Sequence, residues 1–278
     1  MSKIIDGKKI KAEIIEELKK EVKRYMIKPC LAVIQIGDDP ASNTYIKAKE
    51  KACNEIGIYF KHIKFTAETK EIEVINKILE LNNDDYVHGI LLQLPLPEGF
   101  NPDKLINYIA RNKDVDGLTD INLGKLFNNK PCLISCTPQG IMELIEKENI
   151  NLEGKNVTIV GRSNLVGKPL IGLMLNKNAT VTICHSKTEN LSKHTKNADI
   201  LVVAVGKKHF IKENMVKEGA IVIDVGINKE DGKLYGDVDF NNVKSKVEKI
   251  TPVPGGVGPM TVAMLMKNVI SAYQKQQK

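Results

Sequence analysis

The chain has no tryptophan, and aromatic residues make up only 5% of it. Arginine is almost as scarce, with Arg24, Arg111 and Arg162 standing against a large excess of lysine. The net charge of +7 therefore comes from lysines spread along the whole chain. With so few aromatics, that pattern reads as a solvated surface rather than a nucleic-acid footprint. No nucleic-acid partner is expected, and a mild positive field suits an acidic small molecule. No apolar run approaches the roughly 20 residues needed to cross a bilayer. The start MSKIIDGKKIKAEII lacks the apolar region of a signal peptide. A soluble, unexported, cytoplasmic protein without a membrane partner is the expectation. Five cysteines, Cys30, Cys53, Cys132, Cys136 and Cys184, are odd in number and have no repeated C-x-x-C spacing. They read as reduced thiols, with neither a disulfide framework nor a metal site.

At 278 residues, 42% of them hydrophobic, the chain can build one large or two ordinary domains. Ile10, Ile14, Ile15, Leu18 and Val22 recur at helical spacing. Leu31–Ile36 reads as a buried strand closed by the turn residues GDDPAS. Ser42 is placed to cap a helix reaching Ile56, whose stripe Tyr45, Ala48, Ala52 and Ile56 should pack inward. A strand over 58–65, a helix over 72–81 and a strand over 87–94 continue the alternation of a parallel sheet. A short helix near 102–109 follows, and Thr137-Pro138 has the cap and first-turn proline of another, running to about Asn149. Strands over 157–160, 180–184, 200–205 and 220–225 and a final helix over 260–273 complete the pattern.

The organising stretch is Val157–Leu170, VTIVGRSNLVGKPL. A strand runs into Gly161, a polar loop follows, and Gly167-Lys168-Pro169 opens a helix. Loop N–H groups and a helix N-terminus converging in this way attract phosphate. The loop is neither G-x-G-x-x-G nor a Walker A motif, because five residues separate the two glycines and Pro169 stands where Ser or Thr would hold magnesium. The only arginine near such a turn is Arg162. Where an NAD site carries Asp or Glu, about 20 residues on at the end of the second strand, this chain has Cys184-His185-Ser186-Lys187. No carboxylate there repels a 2′-phosphate, and Arg162, His185, Ser186 and Lys187 all carry donors, so NADP is read in preference to NAD.

Four further places carry chemistry. Lys49 lies one turn after Tyr45: either it reaches past the stripe to water, or it is a desolvated amine with the lowered pKa that acid–base work requires. Gln93 interrupts an apolar strand just before Pro95; either backbone satisfies it or it holds a polar neighbour, and its place at a strand C-terminus favours the second. Asp114 and Asp116 flank a valine before Gly117. Turn chemistry explains them, two aspartates make a thin metal-ligand set, and one carboxylate suffices to clamp N–H donors of a ligand. Thr251–Thr261, TPVPGGVGPMT, is rigid and bare, as backbone passing close to a ligand or a stiff linker would be.

Taken together, Tyr45-Ile-Lys-Ala-Lys49, Gly89-Ile-Leu-Leu-Gln-Leu-Pro-Leu-Pro97, Lys113-Asp-Val-Asp-Gly117, Val160-Gly-Arg-Ser163 with Val166-Gly-Lys-Pro169, and Thr251–Thr261 resemble, in order and spacing, the bifunctional methylenetetrahydrofolate dehydrogenase/methenyltetrahydrofolate cyclohydrolase family over essentially the full chain. The resemblance implies two α/β domains, residues 1–120 binding folate and 121–278 forming a Rossmann-like doubly wound parallel sheet for NADP, with a cleft between them. The last helix, 260–278, is expected to pack back on the first domain. It also implies NADP-dependent oxidation of 5,10-methylenetetrahydrofolate and hydrolysis of the product to 10-formyltetrahydrofolate, in tetrahydrofolate interconversion and purine biosynthesis, by a homodimer without a formyltetrahydrofolate synthetase region. Lys49 matches the catalytic lysine, Gln93 the amide that tunes it, Tyr45 the aromatic that stacks on folate, and Asp116 the carboxylate that grips the pterin. Gly161, Arg162, Ser163 and Ser186 match nucleotide-binding positions, Ile227 the nicotinamide side, and Gly255 and Gly256 the cleft lining.

Two rivals fit parts of the pattern. Tyr45-x-x-x-Lys49 copies the catalytic spacing of short-chain dehydrogenases, but there the glycine turn comes first, whereas here it follows by over a hundred residues. A non-catalytic NADP-binding module fits the second half alone.

Overall fold

The computed structural model describes residues 3–277. In chain order the elements are β1 (Lys3–Ile4), α1 (Gly7–Lys23), β2 (Cys30–Ile36), α2 (Pro40–Ile56), β3 (Tyr59–Phe65), α3 (Glu71–Asn83), β4 (Gly89–Leu92), α4 (Pro102–Asn107), α5 (Asp120–Phe127) and α6 (Cys136–Lys147). Then come β5 (Asn156–Val160), α7 (Gly167–Leu175), β6 (Thr180–Cys184), α8 (Leu191–Thr195), β7 (Ile200–Val203), β8 (Ile221–Asp224), β9 (Asn228–Glu230), β10 (Lys233–Tyr235), α9 (Phe240–Val243), β11 (Lys249–Ile250) and α10 (Val257–Gln276). The chain divides into two compact units, one joining the segment up to Ala12 with Thr137–Thr261, the other joining Glu13–Cys136 with the segment from Val262. Relative to the expected ranges of 1–120 and 121–278, the first residues go with the later sheet because β1 pairs with β11, Lys3 opposite Lys249.

The unit of Glu13–Cys136 is built on a three-stranded parallel sheet in the order β3-β2-β4. β2, CLAVIQI, is buried at every position, as a central parallel strand with both faces covered must be. Ala32, Ile34 and Ile36 on one face meet Val74, Ile78 and Leu81 of α3 and Leu105 of α4 in one core cluster. By contrast β3 is an edge strand, alternately exposed and half-buried.

Two sequence expectations for α2 change. Asp39 is the cap, its carboxylate accepting the Ser42 N–H at 2.7 Å, with Pro40 opening the helix; Ser42 lies in the first turn. The inward stripe is also rotated. Tyr45 and Ala48 are exposed, Ala52 and Ile56 are buried as expected, and the buried line runs Ser42, Ile46, Ala52, Cys53, Ile56, with Lys49 at its middle step. The branched Ile46 and Ile56 set the helix phase, and Tyr45 sits about 100° round the axis from Ile46. The helix ends at Gly57, whose φ of 93° and N–H bond to Cys53 O form a left-handed cap.

The unit containing Thr137–Thr261 carries a six-stranded sheet in the order β1-β11-β8-β7-β5-β6, parallel throughout. β6 pairs on one side of β5 and β7 on the other. The winding therefore reverses at β5, and the C-terminal ends of β5 and β7 form a switch point where doubly wound sheets bind ligands. Val160, Leu201, Val203, Val222 and Ile250 belong to its core. A two-residue Asp231-Gly232 turn, with φ of 49° and 75°, joins β9 to β10; two positive φ values are what a type I′ hairpin turn needs.

Asn268 of α10 is a buried polar group in the Glu13–Cys136 unit, and its Nδ2 donates to Val115 O and Ile134 O, both at 2.8 Å. Asn268→Ala removes both bonds, leaving Val115 O only the Cys136 thiol at 3.5 Å, so it is expected to lower unfolding free energy by about 1–3 kcal/mol. The urea midpoint should fall at unchanged slope.

Candidate active site

In the Glu13–Cys136 unit, α2 delivers Lys49 along its buried line and the end of β4 delivers Gln93. The Lys49 amine donates to Gln93 Oε1 at 2.6 Å. Gln93 is itself fixed, its Nε2 donating to Leu94 O at 2.6 Å and its backbone N–H to Ile34 O at 2.8 Å. The amide orientation therefore follows from its own partners. Of the two candidate carboxylates, Asp114 is occupied: it accepts the N–H groups of Leu118 at 3.2 Å and Thr119 at 2.9 Å and the Asn122 amide at 2.8 Å. Asp116 instead interacts electrostatically with Lys49. Turn chemistry thus explains the first aspartate and not the second.

Burial sets the electrostatics. It lowers the Lys49 pKa, with the Asp116 carboxylate and then Cys136 opposing. It raises the Asp116 pKa, with Lys49 pulling the other way and Asp114 adding to the rise. The Cys136 thiol is pushed well up by burial and then by Asp116. The sequence marks Cys136 only as a reduced thiol; its one signal is its place directly before the Thr137-Pro138 helix start. Tyr45 lies one turn before Lys49 on the adjacent face, 55% exposed, which leaves its ring open for stacking.

The remaining candidates lie in the unit containing Thr137–Thr261. Gly161 has a φ of 128°, and a Cβ there would collide with the Ala204 carbonyl; a Cβ at Gly167 would collide with the Gly161 carbonyl. Only glycine fits either position, which explains why these two persist in an incomplete fingerprint. Ser163 shapes the loop between them, its Oγ accepting the Val166 N–H at 3.2 Å and its carbonyl the Lys168 N–H at 3.0 Å. β5 and β6 end in register, Val160 opposite Cys184, so the exposed Arg162, Ser163 and Ser186 follow neighbouring strand ends. The turn after β6 is held by His185 N–H to Thr188 Oγ1 at 2.8 Å and Lys187 N–H to His185 Nδ1 at 3.1 Å. Ile227, Gly255 and Gly256 line a separate cavity of ≈ 240 Å³ with Lys8, Asp224 and Leu234. The sequence candidates therefore fall into three groups: Lys49, Gln93 and Asp116 with Tyr45 alongside; the glycine turn with Arg162, Ser163 and Ser186; and the cavity with Ile227 and the glycine pair.

Comparison with known proteins decides what these groups belong to. Residues 5–116 match the tetrahydrofolate dehydrogenase/cyclohydrolase catalytic domain, and residues 135–277 match the NAD(P)-binding domain of the same family. The chain belongs to the tetrahydrofolate dehydrogenase/cyclohydrolase family. A relative from Campylobacter hominis, named bifunctional protein FolD, is 52% identical over 99% of this chain and 98% of its own. A crystal structure of the bifunctional methylenetetrahydrofolate dehydrogenase/cyclohydrolase from Campylobacter jejuni superposes with a TM-score of 0.97 at 46% identity, covering 99% of each chain. The Trypanosoma brucei methylenetetrahydrofolate dehydrogenase-cyclohydrolase, solved with NADP cofactor and inhibitor, gives 0.94 at 33% identity over 100% of this chain and 99% of its own. Both tetrahydrofolate dehydrogenase/cyclohydrolase domains are thus represented, the catalytic match spanning Lys49, Gln93 and Asp116 and the NAD(P)-binding match spanning the glycine turn.

The lowered Lys49 pKa has a definite sign. Between that lowered value and the ordinary lysine value of 10.5, the native state binds fewer protons than the unfolded chain, so the burial penalty is full below the window and relieved as pH rises through it. In a titration of Cε-labelled lysines by NMR, the resonance missing from Lys49→Met is expected to move at lower pH than the bulk of the lysines.

Proposed function

We propose that the enzyme carries out two consecutive reactions on one folate-bound carbon. The first is NADP-dependent oxidation of 5,10-methylenetetrahydrofolate to 5,10-methenyltetrahydrofolate. The second is hydrolysis of that cation to 10-formyltetrahydrofolate. The observation that carries the reading is the 2.6 Å bond from the Lys49 amine to Gln93, because hydration of a cation near neutral pH needs a group that moves protons there.

NADP⁺, when bound, supplies the hydride acceptor. Oxidation needs no protein acid, because the folate nitrogen lone pair forms the iminium as the hydride departs. Water then adds to the carbon, and Lys49, its pKa lowered by burial, takes the proton lost by that water. The nitrogen–carbon bond to N5 then breaks with its electron pair left on N5, the carbinol hydroxyl loses its proton as the C=O forms, N5 gains a proton in its place, and the carbon remains on N10 as formyl. Gln93 holds the Lys49 amine in place through its oxygen. Asp116 accepts from pterin N–H groups, and Tyr45 stacks on the folate ring. Gly161, Arg162, Ser163 and Ser186 bind the nucleotide, with Arg162 on the 2′-phosphate, and Ile227 packs on the nicotinamide side. Gly255 and Gly256 lie along the substrate. The glycine turn at the switch point and the absence of a carboxylate after β6 suit this cofactor.

The enzyme acts in the cytoplasm as a homodimer, in one-carbon metabolism that feeds purine biosynthesis. The family resemblance supports these assignments, and among the described residues no helix is long and apolar enough to cross a membrane.

In a spectrophotometric assay, NADP⁺ reduction should depend on methylenetetrahydrofolate; folded protein without it would count against the dehydrogenase. Lys49→Ala should lower methenyltetrahydrofolate hydrolysis by at least about 10²-fold, and hydrolysis at the normal rate would remove the lysine from its role. Arg162→Ala is expected to raise KM for NADP⁺ at least tenfold more than KM for NAD⁺, a differential of about 1.4 kcal/mol. Equal rises would take the arginine off the 2′-phosphate.

A further inference from the structure

Two carboxylates are buried in this unit, Asp224, the last residue of β8, at 2% exposure and Asp237, just after β10, at 0%. Their hydrogen-bond partners among the described residues are N–H groups. Asp237 Oδ2 accepts the backbone N–H groups of Val205 at 2.6 Å and Gly206 at 2.9 Å; Oδ1 accepts the Lys207 N–H at 2.7 Å and the Asn228 amide at 2.9 Å. Three consecutive amides converging on one point make a concavity of the kind that binds anions. Here the chain fills it with its own carboxylate.

Asp224 supports this arrangement from behind. Its Oδ1 accepts the N–H groups of Gly226 at 3.0 Å and Asp237 at 2.9 Å, and its Oδ2 that of Val238 at 2.8 Å. A Cβ on Gly226 would collide with the Asp237 carboxyl, and one on Gly236 with the Asp224 carboxyl, so the strands and loops close tightly on both acids. Asp237 thereby ties the loop leaving β7, which borders the switch point, to Asn228, which follows Ile227 at the cavity.

We propose that Asp237 is a positioning residue for the nicotinamide cofactor. It does not touch the cofactor; it sets the shape of Val205–Lys207 and of Gly226–Asn228, the two loops between which the nicotinamide half is held. The claim rests on the NADP-dependent reading given above. An aspartate is required because four donors need two acceptor oxygens. In Asp237→Asn one oxygen becomes an NH₂ facing backbone N–H groups, at nearly unchanged volume.

The test uses the full-length enzyme. In the cofactor-free protein, hydrogen exchange at the amides of Val205, Gly206 and Lys207 should accelerate at least tenfold in D237N. Its KM for NADP⁺ should rise at least tenfold, with KM for methylenetetrahydrofolate within twofold and methenyltetrahydrofolate hydrolysis, measured without NADP⁺, unchanged. An NADP⁺ KM within twofold of wild type would overturn the proposal. So would a parallel loss of both activities, which would make Asp237 a support of the fold alone. If D237N does not fold, Asn228→Ala removes one donor and keeps the backbone arms; a roughly threefold rise in NADP⁺ KM with normal hydrolysis supports the proposal, and no change overturns it. Wild type run alongside separates the two claims, because absent NADP⁺ reduction there counts against the functional reading, not against Asp237.

Discussion

An amine taken out of water must find acceptors or lose its proton, and the smaller sheet is arranged to meet that condition at Lys49. Gln93 supplies one oxygen at 2.6 Å, and Asp116 supplies the opposing charge. For this to work, the helix must turn Lys49 inward at a step otherwise taken by Ile46, Cys53 and Ile56, and the strand must end with an amide that cannot rotate. The bonds from Gln93 to Leu94 O and Ile34 O meet the second requirement. Burial lowers the pKa of the amine, and that is the direction in which a lysine becomes able to take and return a proton.

Much of this was legible in the sequence because the strongest signals are periodic or steric. The continuous apolar β2 and the strand-glycine-helix turn declare themselves in any such fold. Gln93 was legible too, as a polar residue placed where a parallel strand ends. The phase of α2 was not. Tyr45, Ala48, Ala52 and Ile56 have good helical spacing, but only Ala52 and Ile56 are buried and the line continues through Ile46 and Cys53; a helix with two adjacent apolar stripes does not announce which one faces in. Nor did spacing distinguish Asp114 from Asp116. The difference lies in the N–H groups of Leu118 and Thr119 and the Asn122 side chain, which become partners of Asp114 only once α5 has formed. Asp237 was invisible for a similar reason: its three backbone donors come from a segment about 30 residues earlier in the chain.

The larger sheet depends on close approach rather than charge. Gly161 stands against the Ala204 carbonyl and Gly167 against the Gly161 carbonyl, so the end of β5 passes nearer to the segment after β7, and the start of α7 nearer to the end of β5, than any side chain would permit. The position between them that a fuller fingerprint would give to glycine is Ser163, whose hydroxyl instead takes up the Val166 N–H. A hydrogen bond there replaces a bare backbone, and the loop keeps its shape with one more residue in it.

The pairing of β1 with β11 brings together the two extremes of the larger sheet, Lys3 opposite Lys249 and Ile4 opposite Ile250, with Ile5 N–H reaching Ile250 O at 2.9 Å. A ribosome releases the first of these strands long before it makes the second. The outermost ladder can therefore zip up only once Lys249 and Ile250 have been made, and until then β1 lacks its partner strand. Contacts so distant along the chain close slowly, which makes this ladder a late event in the maturation of the newborn polypeptide.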